Sequence, residues 1–191
     1  MKIRDQISKH QKELKLAAIT RKVAKGIEKV SRGYIVDRSG KLVVLQETED
    51  FRALGFVILP VDQMKKIKSQ KHDGYYDKIM ELEKEKERIG MKTEIELKNW
   101  KTAFKTFQSK RINVIVECED PKRDSFSIGP VTKVTDKGVS IRHFDAEGFL
   151  AEKPTRIKYK DITKVVFDDR YVDVFSRYVR EKKRPAENKE K

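Results

Sequence analysis

One cysteine, one tryptophan, three histidines and five prolines in 191 residues leave little material for covalent or metal chemistry. A lone Cys118 has no intramolecular disulfide partner, and a reducing, cytoplasmic setting is expected. His10, His72 and His143 fall in three separate segments, and no His, Cys or carboxylate cluster has the spacing of a zinc site. Long apolar runs are also missing. No stretch approaches the ~18 consecutive apolar residues of a membrane-spanning helix, and "MKIRDQISKHQKELKL" has neither the apolar core nor the small-residue cleavage site of a secretory signal. A soluble chain without membrane insertion is the expectation. Gly138 and Gly148 stand alone at turns and form no phosphate-cradling run, and Cys118, closing the apolar "INVIVEC", has no base in sight to activate it. Neither a cofactor nor an enzymatic activity is expected.

Positive charge is what the chain has in excess. Charged residues make up 40% of it and the formal net charge is +14, while apolar residues are held to 37%. The excess is uneven. Residues 1–30 carry nine Lys or Arg against three acids, residues 63–72 carry four against none, and residues 98–111 five against none; 177–191 are also net basic. Such a surface attracts polyanions, nucleic acid first and anionic lipid second. For lipid, an amphipathic segment with exposed Trp or Phe is lacking.

The length allows two small domains. Apolar and β-branched runs in the first half, "SRGYIVD", "LVVLQ", "GFVILPV" and "MKKIK", are broken by turn signals and predict four strands, with residues 16–25 readable as a fifth strand or as helix. In the second half "INVIVEC", "FSIGPVTKV", "GVSIRHF", "TRIKYKDI" and "KVVF" predict five more. "YYDKIMELEKEKERIG" predicts a helix stopping at Gly90, "IELKNWKTAFKTFQSKR" a second with Leu97, Trp100, Phe104 and Phe107 on one face, and the segment after "KVVF" a third, with Asp168 and Asp169 at its start and Tyr171, Phe175 and Tyr178 packed together. Asp73 is given the same capping role. The halves also echo each other. An offset of 96 places Gly33 on Gly129, Val43 on Val139 and Tyr75 on Tyr171, with a slip of two between, where Met64 meets Ile162.

"IGPVTKVTDKGVSI" and "IKYKDITKVVF" resemble the two Sm motifs, and the second is similar to the Tyr-Lys-His motif of the bacterial Sm-like RNA chaperone, matched by Tyr159 and Lys160 but with Asp161 in place of the histidine. About half of the chain resembles a bacterial group with two Sm-like barrels per polypeptide. That resemblance implies a mainly β, α+β fold of two tandem Sm-like or SH3-like barrels, each followed by a helix. The corresponding divisions are residues 1–74, a helical connector 75–110, a second barrel 111–180 and a disordered basic tail 181–191. The function expected is non-enzymatic RNA binding through Lys65, Lys66, Lys68, Lys101, Lys105, Arg111, Tyr159 and Lys160. The alternative is a protein-interaction or assembly module using grooves and strand edges. A homo-oligomeric ring is compatible with either.

Overall fold

The computed structural model describes residues 2–181. Four helices and eleven strands occur among them: α1 (Ile3–Glu13), β1 (Leu16–Ala24), β2 (Ile27–Arg38), β3 (Leu42–Glu49), β4 (Arg52–Pro60), β5 (Met64–Lys68), α2 (Asp73–Leu82), α3 (Trp100–Lys110), β6 (Val114–Cys118), β7 (Ser125–Gly129), β8 (Val131–Val134), β9 (Gly138–Ile141), β10 (Thr155–Lys158), β11 (Lys164–Phe167) and α4 (Arg170–Ser176). No helix among the described residues is long and apolar enough to cross a membrane.

The strands do not close into two barrels. Eight of them form one antiparallel sheet in the order β5-β1-β2-β3-β4-β11-β6-β7, and β10-β9-β8 form a second, three-stranded sheet. The decisive element is β11. It pairs on one side with β6, Val165 opposite Val116, and on the other with β4, Val165 opposite Ile58, so the last strand of the second half seals the edge of the first. The composition of these strands explains the outcome. "FVILP" in β4 and "LVVL" in β3 are apolar at consecutive positions rather than alternating, which a strand needs when both of its faces are covered. Leu42, Val44, Phe56, Ile58, Val116, Val165 and Phe167 enter one core with Phe104 and Phe107 of α3, while Val43, Leu45, Val57, Leu59, Ile115 and Val166 enter another with Ile7 of α1 and Val172 of α4.

Register repeats across the halves. Leu42 pairs with Pro60 and Val43 with Leu59; Gly138 pairs with Lys158 and Val139 with Ile157. A Cβ on Gly33 would lie 2.0 Å from the Gln46 carbonyl oxygen, and one on Gly129 would lie 2.1 Å from that of Arg142, so both positions exclude a side chain at the same strand crossing. α1 and α3 are each 11 residues long and end on a left-handed residue, Leu14 at φ 43 and Arg111 at φ 56. They differ in one consequential residue. The Ile67 N–H of β5 donates to Oε1 of Gln6 at 3.2 Å, which caps the edge strand; with the helix starts Ile3 and Trp100 aligned, the matching α3 position is Ala103, too short to do so, beside a β11 that is paired on both sides.

Local expectations were met unevenly. Residues 16–24 are strand, not helix. The helix expected to reach Gly90 ends at Leu82, and a short 3-10 turn, Glu85–Arg88, follows. α3 begins at Trp100, where the Asn99 side chain accepts from the Thr102 N–H at 3.1 Å, yet Leu97 still packs in its core from the preceding coil. "FSIGPVTKV" is two strands, because Gly129 at φ 146 turns the chain between the sheets. Asp169 caps α4 through the Tyr171 N–H at 2.9 Å; Asp73 instead occupies the first helical position, with the cap at His72. Tyr171 and Tyr178 are exposed, not buried together, because α4 stops at Ser176 and Tyr178 lies beyond the helical face. Cys118 is buried at the end of β6 as a small apolar side chain. Of the expected tail, residues 182–191 lie outside the described residues.

Candidate nucleic-acid interface

Residues opposite each other in antiparallel strands share a face, so the registers of β5, β1 and β2 define one surface. Leu16 faces Tyr34; Ala18 lies between Lys68 and Arg32; Thr20 lies between Lys66 and Val30; Lys22 faces Glu28. α2 covers the first of these rows, packing Met80 on Leu16 and Tyr34. It is pinned there by the Tyr34 hydroxyl, which donates to the Asp77 carboxylate, and by an ion pair of Arg32 with Asp73 at 2.5 Å. Burial and the adjacent Asp77 carboxylate push the Tyr34 hydroxyl far above its ordinary pKa, so it stays a donor. In the second row Lys68 is exposed, but Ala18 is buried and Arg32 is held by α2; the last two rows are open to solvent, with Val30 63% exposed.

The open rows are basic. Among the described residues no carboxylate forms an ion pair with Lys22, Lys65, Lys66 or Lys68. The Lys66 ammonium is held below the ordinary lysine range by contact with and charge repulsion from Lys68, with Glu28 opposing weakly. Two ammonium groups that repel each other on an open face gain from any anion that bridges them. Aromatic surface adjoins. The Arg32 guanidinium lies 5.7 Å from the Tyr76 ring centroid, Tyr76 stacks on Phe51 at 4.7 Å, and Tyr75 is 70% exposed. Phe51 is presented by a two-residue hairpin in which Asp50 and Phe51 are both left-handed, at φ 45 and 59. The Phe51 N–H donates to the Tyr76 hydroxyl at 3.2 Å and holds that uncommon conformation.

The eight residues expected to contact RNA do not converge. Lys66 and Lys68 share the open face; Lys65 lies beside Lys22 and the Gly26 turn at a shallow cavity. Lys101 is paired with Asp136, and Lys105 is exposed one turn on in α3. Arg111, at the far end of α3, is about 15 Å from Lys101 at 1.5 Å per residue. The Tyr159 hydroxyl donates to the Thr135 carbonyl at 2.9 Å and its ring stacks on Phe104, with burial pushing its pKa up to about 12. Lys160 is exposed, while the neighbouring Asp161 is tied to Arg123. Lys22, Arg32 and Phe51 belong to the face but escaped the sequence reading. The alternation Ala18, Thr20, Lys22 carried the signal, once residues 16–25 are taken as strand.

A separate cleft of about 640 Å³ opens where the halves meet, lined by Arg4, Lys41, Asp62, Trp100, Lys101 and Tyr159 among others. No group of three or more His, Cys, Asp or Glu side chains able to hold a metal ion occurs among the described residues. Comparison with known proteins brings no match: no family model fits the chain, and no curated protein or solved structure is similar to it.

Proposed function

We propose that the chain is a binding module for single-stranded RNA, which tracks the open face of β5, β1 and β2. One observation carries the reading: Lys22, Lys66 and Lys68 stand on one face without ion-pair partners among the described residues, beside the stacked Tyr76 and Phe51. Cations that follow a backbone, with aromatic rings available to bases, are the two parts that single-strand binding uses. Lys65 adds charge at the rim, whereas Lys101 is already neutralised by Asp136 and contributes less.

Each lysine that neutralises a phosphate releases a counterion, so log affinity falls with log salt by about 0.7 per contact on a single strand. Replacing Lys66 and Lys68 together by Ala lowers that slope by about 1.4, with base preference unchanged, because phosphate contacts position without specifying. Fluorescence anisotropy of a labelled oligoribonucleotide at several salt concentrations reads both quantities. A slope unaltered in the double variant overturns the proposal.

A further inference from the structure

We propose that the cleft between the halves is a nucleotide-binding site, which takes one nucleobase against Trp100 and Tyr159 and its phosphate between Arg4 and Lys41. The inference rests on the RNA-binding reading for its class of ligand, and it assigns a position remote in kind from the open lysine face: a half-open cleft sized for one unit rather than a track for many.

The lining sorts into groups already committed and groups left over. Lys101 and Asp136 satisfy each other. The Tyr159 hydroxyl is spent on Thr135, which leaves its ring as apolar surface, and the Asn99 side-chain oxygen is spent on the Thr102 N–H. What remains is a guanidinium, an ammonium, a carboxylate and an amide N–H₂. Arg4 makes one long contact, 3.4 Å to the Gly40 carbonyl, and neither Lys41 nor Asp62 forms an ion pair among the described residues. Trp100, Leu42, Pro60, Val61 and Tyr159 supply the apolar part. A ligand matching this set carries a planar ring whose edge has an N–H donor for the Asp62 carboxylate and an acceptor for the Asn99 N–H₂, and a negative charge for Arg4 and Lys41. A nucleoside phosphate has all three. At about 640 Å³ the cleft falls within the roughly 300–1,000 Å³ of small-ligand sites. Both halves are needed to build it, since Lys41 and Asp62 come from turns flanking β3 and β4 while Trp100 opens α3.

Trp100 is the sole tryptophan, so its fluorescence reports this cleft and no other. The full-length chain is titrated with uridine and adenosine 5′-monophosphates, with inorganic phosphate, and with an end-labelled oligoribonucleotide followed in parallel by anisotropy. The monophosphates are expected to change Trp100 emission saturably and phosphate alone to leave it unchanged. Lys41→Ala, at an exposed turn, weakens the monophosphate response about tenfold through loss of one charge-assisted contact, and Arg4→Ala does the same. Oligonucleotide binding by anisotropy with no Trp100 response to any nucleotide overturns the cleft assignment and leaves the RNA-binding function standing. A Trp100 response without oligonucleotide binding supports the cleft and overturns that function. Equal responses to phosphate and to the monophosphates also overturn the proposal, because they show an anion site with no base recognition.

Discussion

Arg21 of β1 is 1% exposed, yet it carries a full charge. Its guanidinium donates to both carboxylate oxygens of Glu119, at 2.7 and 3.1 Å, and to the Thr163 carbonyl at 3.1 Å, so a strand of the first half is tied to two segments of the second. Its Nε has no partner among the described residues, which means that without Glu119 a single carbonyl is left to solvate the buried cation. The Glu119 side chain is 15% exposed and can turn toward water if Arg21 is lost. The two truncations are therefore unequal. Glu119→Ala strands a charge and should cost about 3–5 kcal/mol, lowering the melting temperature by about 10 °C in a chain of this size. Arg21→Met removes the charge that needed burying and should cost about 1–2 kcal/mol. The double replacement Arg21→Met with Glu119→Leu should return to within about 1 kcal/mol of the parent. Urea unfolding followed by Trp100 emission measures all three. Equal costs for the two single variants, or a double variant as unstable as Glu119→Ala, refute the idea that an uncompensated buried guanidinium dominates. Acid should weaken the same link. Burial raises the Glu119 pKa, but the Arg21 hydrogen bonds and charge, with Thr163 and Lys164, together outweigh it, so the net shift is downward; the pair's contribution is complete above the ordinary glutamate range and fades as pH falls through the lowered value.

Two further outcomes follow from the fold. Burial raises the Glu47 pKa above its ordinary value, with Lys164 opposing, so its ionised form costs stability above the raised value and not below the ordinary one; Glu47→Gln should raise the melting temperature at pH 7 to 8, with the gain shrinking toward zero near pH 4, and a gain constant with pH would refute this. Gly33→Ala and Gly129→Ala both drive a methyl into a carbonyl oxygen and should each cost about 1–3 kcal/mol or more by denaturant unfolding, Gly129→Ala the more because its φ of 146 is itself unfavourable for alanine; a neutral effect at either site would refute the shared crossing geometry.

The sequence by itself determined most of the strands, the basic surplus and the echo between the halves. Those are local quantities: alternation, turn residues and composition report on a residue and its neighbours along the chain. It also holds a clue to the sheet, since "FVILP" and "LVVL" are apolar at every position, which one covered face does not require. Only the tertiary structure decided that β11 closes the first half as well as the second, because strand pairing is a long-range choice in which an apolar edge such as β4 takes the partner that buries it, whereas β5, with Lys65, Lys66 and Lys68 exposed and its Ile67 N–H capped by Gln6, stays at the sheet's end. The candidate interface was settled at the same level. The lysines of 63–72 were legible as charge, but Lys22 and Arg32 join Lys66 and Lys68 only through cross-strand register, and Lys41 meets Trp100 only because the two halves share one sheet.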